Sequence, residues 1–520
     1  MTACNAMFAV PSLPVVTLTA ISILVISIII LRNKSHRRRR PPGPWGLPLI
    51  GHLHLIGPVV HRAFQSLSAR YGPIVHLRFG SVPVVLVSSP DLAREFLKSH
   101  EITFSSRKHS LAIARLSYNS PFAFAPYGPY WKFIKRISTV DLLGTRSIGK
   151  FLPIRRREVH RFLKVMKERA DEAAPVNLTE EFLKLAYNII SQMMIGARPS
   201  DTQGQAEEVR TLVREVTKIH GQFFISDYVN ILKGVDVNGI KERVERVFQR
   251  YDGLLEKIIS EREGERRRRS CGADETGEDA AKDFLDILLD VMDDEHAEMK
   301  LTRNHIKALI LDYFTAATDT SAIVMEWALA ELINSPTIMQ AGRDEIDRAV
   351  GKHRIVEETD VPNLPYLLAV MKENLRLHPP IPVVARRSTK EVTVAGYTIQ
   401  EGSLLFVNNW GISRNPEYWD RPLEFRPSRF LEADGPDVKG QHFHVLPFGS
   451  GRRGCPGMSL AMMELPMVLA AMVQCFEWKL VAGSSGVNMV DGKLRLDMTE
   501  QPGLTVPRAH ELVCVPVARR

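Results

Sequence analysis

One cysteine in this chain sits where its sulfur has a chemistry to do. Cys455 lies in Phe448-Gly-Ser-Gly-Arg-Arg-Gly-Cys-Pro-Gly457. Glycines at 449, 451, 454 and 457 let the backbone turn tightly and approach a flat ligand closely. Pro456 stiffens the turn just ahead of a helix, whose amino terminus favours negative charge on a nearby sulfur. Arg452 and Arg453 add positive charge, which lowers the pKa of a thiol. A thiolate is the form that binds iron, and it donates electron density that favours O–O cleavage. The other cysteines (Cys4, Cys271, Cys475, Cys514) are scattered and form no C-x-x-C pair. That usage points away from a zinc site or disulfide framework and toward a reducing compartment.

Three further constellations carry less information alone. Ala316-Ala-Thr-Asp-Thr-Ser321 falls inside a long apolar helix expected from about 304 to 332. Polar groups there cost energy without partners, so Asp319 and Thr320 mark a local kink or a functional pair. Dioxygen reduction consumes protons, and a buried hydroxyl with a carboxylate is what that chemistry needs. Glu373 and Arg376 stand three apart on a helix that stops at Pro379-Pro380, and the segment Phe425 to Phe430 with Arg429 follows. Trp131-Lys-Phe-Ile-Lys-Arg136 puts cations within a turn or so of an indole, which on its own is ordinary packing.

These residues need a scaffold, and 520 residues with 45% hydrophobic and 24% charged content supply a large globular core. The net charge of +9 is concentrated in Arg32 to Arg40 and Arg266 to Arg269; beside an apolar segment it suggests a membrane surface, and no nucleic-acid motif competes. Phe8 to Leu31 is long enough to cross a hydrocarbon core of about 30 Å, and no small-residue cleavage site follows it. The basic residues after it belong on the cytosolic side. The expected organisation is an anchor (1–31), a basic and proline-rich hinge (32–52) and a catalytic body (53–520). Pro41 to Gly51 reads as a stiff extended connector. Val75–Phe79 and Val82–Val87 read as strands, Asp91 to about Tyr251 as mostly helix, and Gly264 to Lys282 as a solvated loop. Helices return from Phe284 to about His378. Strands follow at Val392–Ile399 and Leu404–Asn408, then a final helix at Met458–Cys475. The fold class expected is mainly α with small β-sheets.

The whole pattern resembles the cytochrome P-450 superfamily. Its F-x-x-G-x-R-x-C-x-G motif is matched at Phe448, Gly451, Arg453, Cys455 and Gly457, and the likeness runs along essentially the whole chain. The resemblance implies that fold, with an amino-terminal transmembrane helix. It implies haem b with Cys455 as axial ligand, and Arg453, Trp131, Lys135 and Arg386 on the propionates. Glu373, Arg376 and Arg429 become a buried brace, with Ser428 replacing a frequent acidic residue. Thr320 and Asp319 match the family's proton-delivery motif [AG]-G-x-[DE]-T-[ST], from which Ala317 departs because glycine is usual there. The implied reaction uses O2 and electrons from NADPH through a reductase of the same membrane, the endoplasmic reticulum, crossed once. Anchor, hinge and the Ala-Ala-Thr-Asp-Thr run look like plant microsomal enzymes, most of all the branch of flavone synthase II and flavanone 2-hydroxylase. That branch implies oxidation at C-2 of a flavanone such as naringenin. Isoflavone synthases of the same branch, which move an aryl ring, usually show glycine at 317. Candidate substrate contacts are Leu116 to Phe124 (with Phe122 and Phe124), Thr315, Ala316, Ala317, Val383, Val384 and Leu504. Another plant phenolic is the alternative substrate. A haem-binding membrane protein without turnover is the alternative class, although a carrier has no need to protonate dioxygen.

Overall fold

A computed structural model of the chain describes residues 40–108, 110–196, 205–222, 224–232, 235–236, 239–270, 282–432 and 435–519. The expected anchor at Phe8 to Leu31 lies outside the described residues. So does the basic cluster, apart from Arg40.

The architecture is built around helices whose boundaries follow local chemistry. Five of them concern the site: α1 (Pro129–Ile137), α2 (Leu178–Ile195), α3 (Arg303–Asn334), α4 (Pro365–Leu377) and α5 (Met458–Cys475). Thr302 caps α3 by accepting from the His305 amide while the His305 ring accepts from the Thr302 amide, which satisfies two donors at the helix start. At 32 residues α3 runs roughly 48 Å, and its flanks (Ile306–Phe314 and Ala322–Ala330) are buried almost all round, as a central helix must be. Pro336 lies just beyond its end, and α4 starts on Pro365 and stops ahead of Pro379. Asn177 caps α2, and Gly196 closes it with φ of 64°, a conformation that suits glycine. α5 has the length and hydropathy to cross a membrane, but 67% of it is buried within the fold, so it serves as core.

The largest sheet combines β1 (Ile74–Phe79), β2 (Val82–Val87), β3 (Val384–Arg387) and β4 (Leu404–Val407) in the order β1-β2-β4-β3. β1 and β2 form a hairpin through Gly80, β2 runs parallel to β4 with Val84 beside Leu404, and β3 is antiparallel to β4 with Val384 beside Val407. A three-stranded sheet joins Val176–Asn177, Val513–Ala518 and Phe476–Leu480, and two small hairpins complete the β content. The main core packs α2 to α5 together through Phe182, Met193, Leu309, Val370 and Val468. Each such side chain stabilises the fold by about 1.5–3 kcal/mol when removed from water.

Two sequence expectations change. Gly264–Ser270 is not loop: the helix Ile240–Ser270 runs through it. Arg266 explains why, because its guanidinium reaches Asp290 at 2.7 Å and Asp293 at 3.4 Å on the helix Phe284–Asp293. Arg262, one turn earlier, holds Asp283 at 2.6 Å. Tertiary ion pairs hold glycine-containing, charged sequence in helix. The described part of the proline-rich hinge is no free extended spacer: residues 48–50 form a turn closed by mutual backbone hydrogen bonds between Leu47 and Gly51, at 2.8 and 3.0 Å. The His76 amide donates to the Pro42 carbonyl at 2.7 Å, and Gly51 bridges Phe79. A Cβ at Gly43 would lie 2.1 Å from the His76 carbonyl oxygen, so only glycine permits this approach to β1.

Candidate functional site

The cysteine loop is shaped by its own backbone. The Cys455 amide donates to the Phe448 carbonyl at 2.9 Å, and Gly449 and Gly451 take positive φ of 69° and 67°. Sγ accepts from the amides of Gly457 and Met458 at the start of α5. Burial raises the thiol's pKa, and those amides together with Lys135 and Arg107 pull it back down. The expectation that Arg452 and Arg453 do this is therefore corrected. Arg452 points outward and pairs with Glu101 at 3.2 Å. Arg453 is buried, lies 4.3 Å over the Trp131 ring and donates to the carbonyls of Ser105 and Ala125. The surface of Cys455 is accessible although protein surrounds it at longer range, so the sulfur faces interior space.

Around that sulfur the structure collects cations. Lys135 on α1 donates to the Gly454 carbonyl at 3.1 Å. Arg386 on β3 is 3% exposed and its guanidinium reaches the Arg453 carbonyl at 3.4 Å. Arg107, which no motif singled out, donates to the Ala123 carbonyl at 2.9 Å. Burial lowers the pKa of all three arginines, and their mutual repulsion adds to it for Arg386 and Arg453. Arg453 Nη1 and Arg107 Nε are buried with no hydrogen-bond partner among the described residues. Buried guanidinium donors without acceptors are costly unless an anion answers them. The two propionates of a haem would answer that need, and Cys455 would offer its sulfur to the iron. Residues fit cofactor.

On α3, Ala316 is exposed although both flanks of the helix are buried, so the helix bares a patch in mid-span. Ala317, the position that departs from glycine, is half-buried and packs against the main core. The Thr320 hydroxyl donates to the Ala316 carbonyl at 2.6 Å, and that of Thr315 to Leu311 at 2.8 Å. Asp319 accepts from the Thr505 hydroxyl at 2.6 Å, and burial raises its pKa against the pull of Thr505 and Arg214. Thr320 and Asp319 are thus neighbours with separate partners.

The other expected contacts divide. Phe122 stacks on Trp131 with centroids 6.3 Å apart, and its amide donates to Asp312 at 2.6 Å. Phe124 meets the His220 ring edge-on at 5.9 Å, and the adjacent Gly221 lies against Leu504, which is half-exposed. Val384 belongs to the sheet core with Val407 and Phe443, and Val383 packs against the hairpin side of that sheet. Leu116 is fully buried core. Asp312, Arg107, His220 and Thr505 escaped sequence reasoning. Asp312 alone had a signal, as a charge in an apolar helix; burial pushes it up to about 6, against the Phe122 and Ala123 amides and Arg107.

Glu373 and Arg376 are both fully buried and share a bidentate pair at 2.6 and 2.8 Å. Arg429 joins at 3.2 Å, and the Arg426 amide donates to the same carboxylate at 2.8 Å. Arg376 also donates to the carbonyls of Ser413 and Pro422. The triad therefore ties α4 to the segment ahead of the cysteine loop with its hydrogen-bonding capacity largely satisfied.

A cysteine set among buried cations in a mainly helical fold fits the class of haem-thiolate enzymes. Residues 41–505 match the family model described as Cytochrome P450. The chain is 54% identical over 492 residues to cytochrome P450 93B2 of Gerbera hybrida, covering 94% of this chain and 93% of that one. It is 45% identical over 513 residues to the 3,9-dihydroxypterocarpan 6A-monooxygenase of Glycine max, with 97% and 98% covered. With the 2-hydroxyisoflavanone synthase of Glycyrrhiza uralensis it shares 44% over 518 residues, with 96% and 97% covered. The chain belongs to the cytochrome P450 family and is a monooxygenase, using haem iron, O2 and NADPH-derived electrons delivered by a reductase.

Proposed function

We propose that this monooxygenase oxidises flavanones at C-2, giving 2-hydroxyflavanones and, after loss of water, flavones. The reaction consumes the flavanone, O2, NADPH and a proton, and yields the hydroxylated product, water and NADP+. Haem, when bound, supplies the oxidising equivalent that removes the C-2 hydrogen and returns a hydroxyl. The protein's part is to hold haem and substrate and to move protons. Cys455 ligates iron, while Arg107, Lys135, Arg386 and Arg453 neutralise the propionates around Trp131. Phe122, Phe124, Thr315, Ala316 and Leu504 enclose an apolar, flat substrate and keep bulk water out. Thr320 and Asp319 deliver the protons that O–O cleavage consumes. Phe8 to Leu31 anchors the enzyme in the endoplasmic reticulum membrane with the catalytic body in the cytosol, beside its reductase.

The observation that supports the substrate class is full-length similarity to relatives named 3,9-dihydroxypterocarpan 6A-monooxygenase and 2-hydroxyisoflavanone synthase. Ala317 favours C-2 oxidation over aryl migration, because isoflavone-type enzymes usually have glycine there. The relatives named 2-hydroxyisoflavanone synthase support the second reading, in which the aryl ring moves. Yeast microsomes containing the protein, a plant reductase, NADPH and naringenin distinguish the two. 2-Hydroxynaringenin or apigenin supports the first, and a 2-hydroxyisoflavanone supports the second. A sound carbon monoxide spectrum without turnover of naringenin overturns the flavanone assignment.

A further inference from the structure

The segment 500–508 is a closed turn near the carboxyl end of the chain. Glu500 bridges Arg508, and the Gln501 amide donates to the Pro507 carbonyl at 2.9 Å. Its base is held firmly: the Val506 amide donates to the Pro380 carbonyl at 3.0 Å, and the Trp327 indole of α3 donates to the Val506 carbonyl at 3.0 Å. Its tip has two neighbours. On one side Leu504 lies against Gly221, where an added Cβ would come within 3.2 Å of the Leu504 Cβ. On the other the Thr505 hydroxyl donates to the Asp319 carboxylate at 2.6 Å. Two successive residues thus touch the helix end that carries His220 and the carboxylate of the oxygen-activation motif.

We infer that Thr505 is a positioning residue for the Asp319 carboxylate, and that it links proton delivery to the segment that meets substrate. The inference rests on the reading of Asp319 as a proton donor and of Leu504 as a substrate contact. A hydroxyl at 2.6 Å fixes which way the carboxylate points, and a misdirected carboxylate delivers protons to the wrong oxygen. The product is then hydrogen peroxide, formed from O2, the two electrons of NADPH and two protons, while the substrate leaves unoxidised. A substrate pressing on Leu504 shifts the neighbouring residue, so a filled site and a correctly aimed carboxylate go together. The charged group facing Asp319 is Arg214, on the helix Gln205–Gly221, itself paired with Glu180 of α2 at 2.7 Å. The Thr505 bond favours the ionised carboxylate, and burial opposes it.

The test uses full-length protein in reductase-containing microsomes, with NADPH consumed, peroxide released and product formed measured across a range of pH. Thr505→Val and Thr505→Ala remove the hydroxyl at full and reduced volume, Thr505→Ser keeps it, and Asp319→Asn removes the charge. The carbon monoxide spectrum checks that each variant retains thiolate-bound haem. Loss of the hydroxyl should raise peroxide per product about tenfold, as expected for one hydrogen bond to a charged group. Thr505→Ser should restore coupling. The pH at which coupling changes should move upward in Thr505→Val, because the ionised carboxylate has lost its donor. Wild-type coupling and an unmoved pH profile in both hydroxyl-free variants, with Asp319→Asn uncoupled, overturn the inference and leave the proton-donor reading standing. Unchanged coupling in Asp319→Asn overturns both.

Discussion

A thiol ligates iron only as its anion, so the residue-scale question is what stabilises charge on Cys455. Burial works against it; two backbone amides at the start of α5, with Lys135 and Arg107, work for it. The serine variant keeps the loop's shape and loses the soft anionic donor. Cys455→Ser is therefore expected to abolish the thiolate-type carbon monoxide spectrum while leaving the fold intact by circular dichroism; a surviving thiolate spectrum rules Cys455 out as ligand. The motif around Cys455 was legible because its residues are consecutive and the turn needs glycine at fixed places. Arg107 and Thr505 were not, since each acts through a partner far away in the chain, and neither has a spacing that announces it. Arg453 is not among the cations acting on the thiol, contrary to the sequence expectation. It is a buried propionate candidate, and Lys135 and Arg107 are the cations that act on the thiol.

At the scale of elements, the brace shows how a pair that is worth little when exposed becomes structural. Glu373 and Arg376 are both 0% exposed, and removing one partner of such a pair costs about 3–5 kcal/mol because the other charge stays buried. Arg376→Leu should lower the yield of spectrally intact holoprotein severely, while Arg426→Leu, whose side chain pairs with the exposed Asp420, should be close to wild type. Equal yields would contradict a structural brace. Spacing put Glu373 and Arg376 on one face, but only tertiary packing decides whether that face is buried. The same limit explains the helix at Gly264–Ser270. Charge and glycine read locally as loop, and the Arg262 and Arg266 pairs across to Phe284–Asp293 reverse that.

At the scale of the molecule, long apolar helices, small sheets and the terminal helix were readable from periodicity, whereas the inward electrostatics were not. Glu464 on α5 and Glu326 on α3 are buried and pushed up to about 7, and Asp312 up to about 6. Each folded-state value is raised above the unfolded one, so the folded state holds protons more tightly in between. Glu464 and Glu326 therefore contribute stability that falls as pH rises from about 4.5 to 7, while His76 and His220, held at about 4 by burial, contribute stability that rises with pH from about 4 to 6.5. Glu464→Gln should lessen the falling contribution in thermal melts; an unchanged slope would remove Glu464 from the account.

Naringenin carrying deuterium at C-2 is the direct test of whether this haem-thiolate monooxygenase takes hydrogen from C-2 of a flavanone. Microsomes with reductase and NADPH are expected to convert it to 2-hydroxynaringenin or apigenin with the deuterium gone. A product that retains the C-2 deuterium, as aryl migration to a 2-hydroxyisoflavanone would leave it, would overturn C-2 hydrogen abstraction by this enzyme.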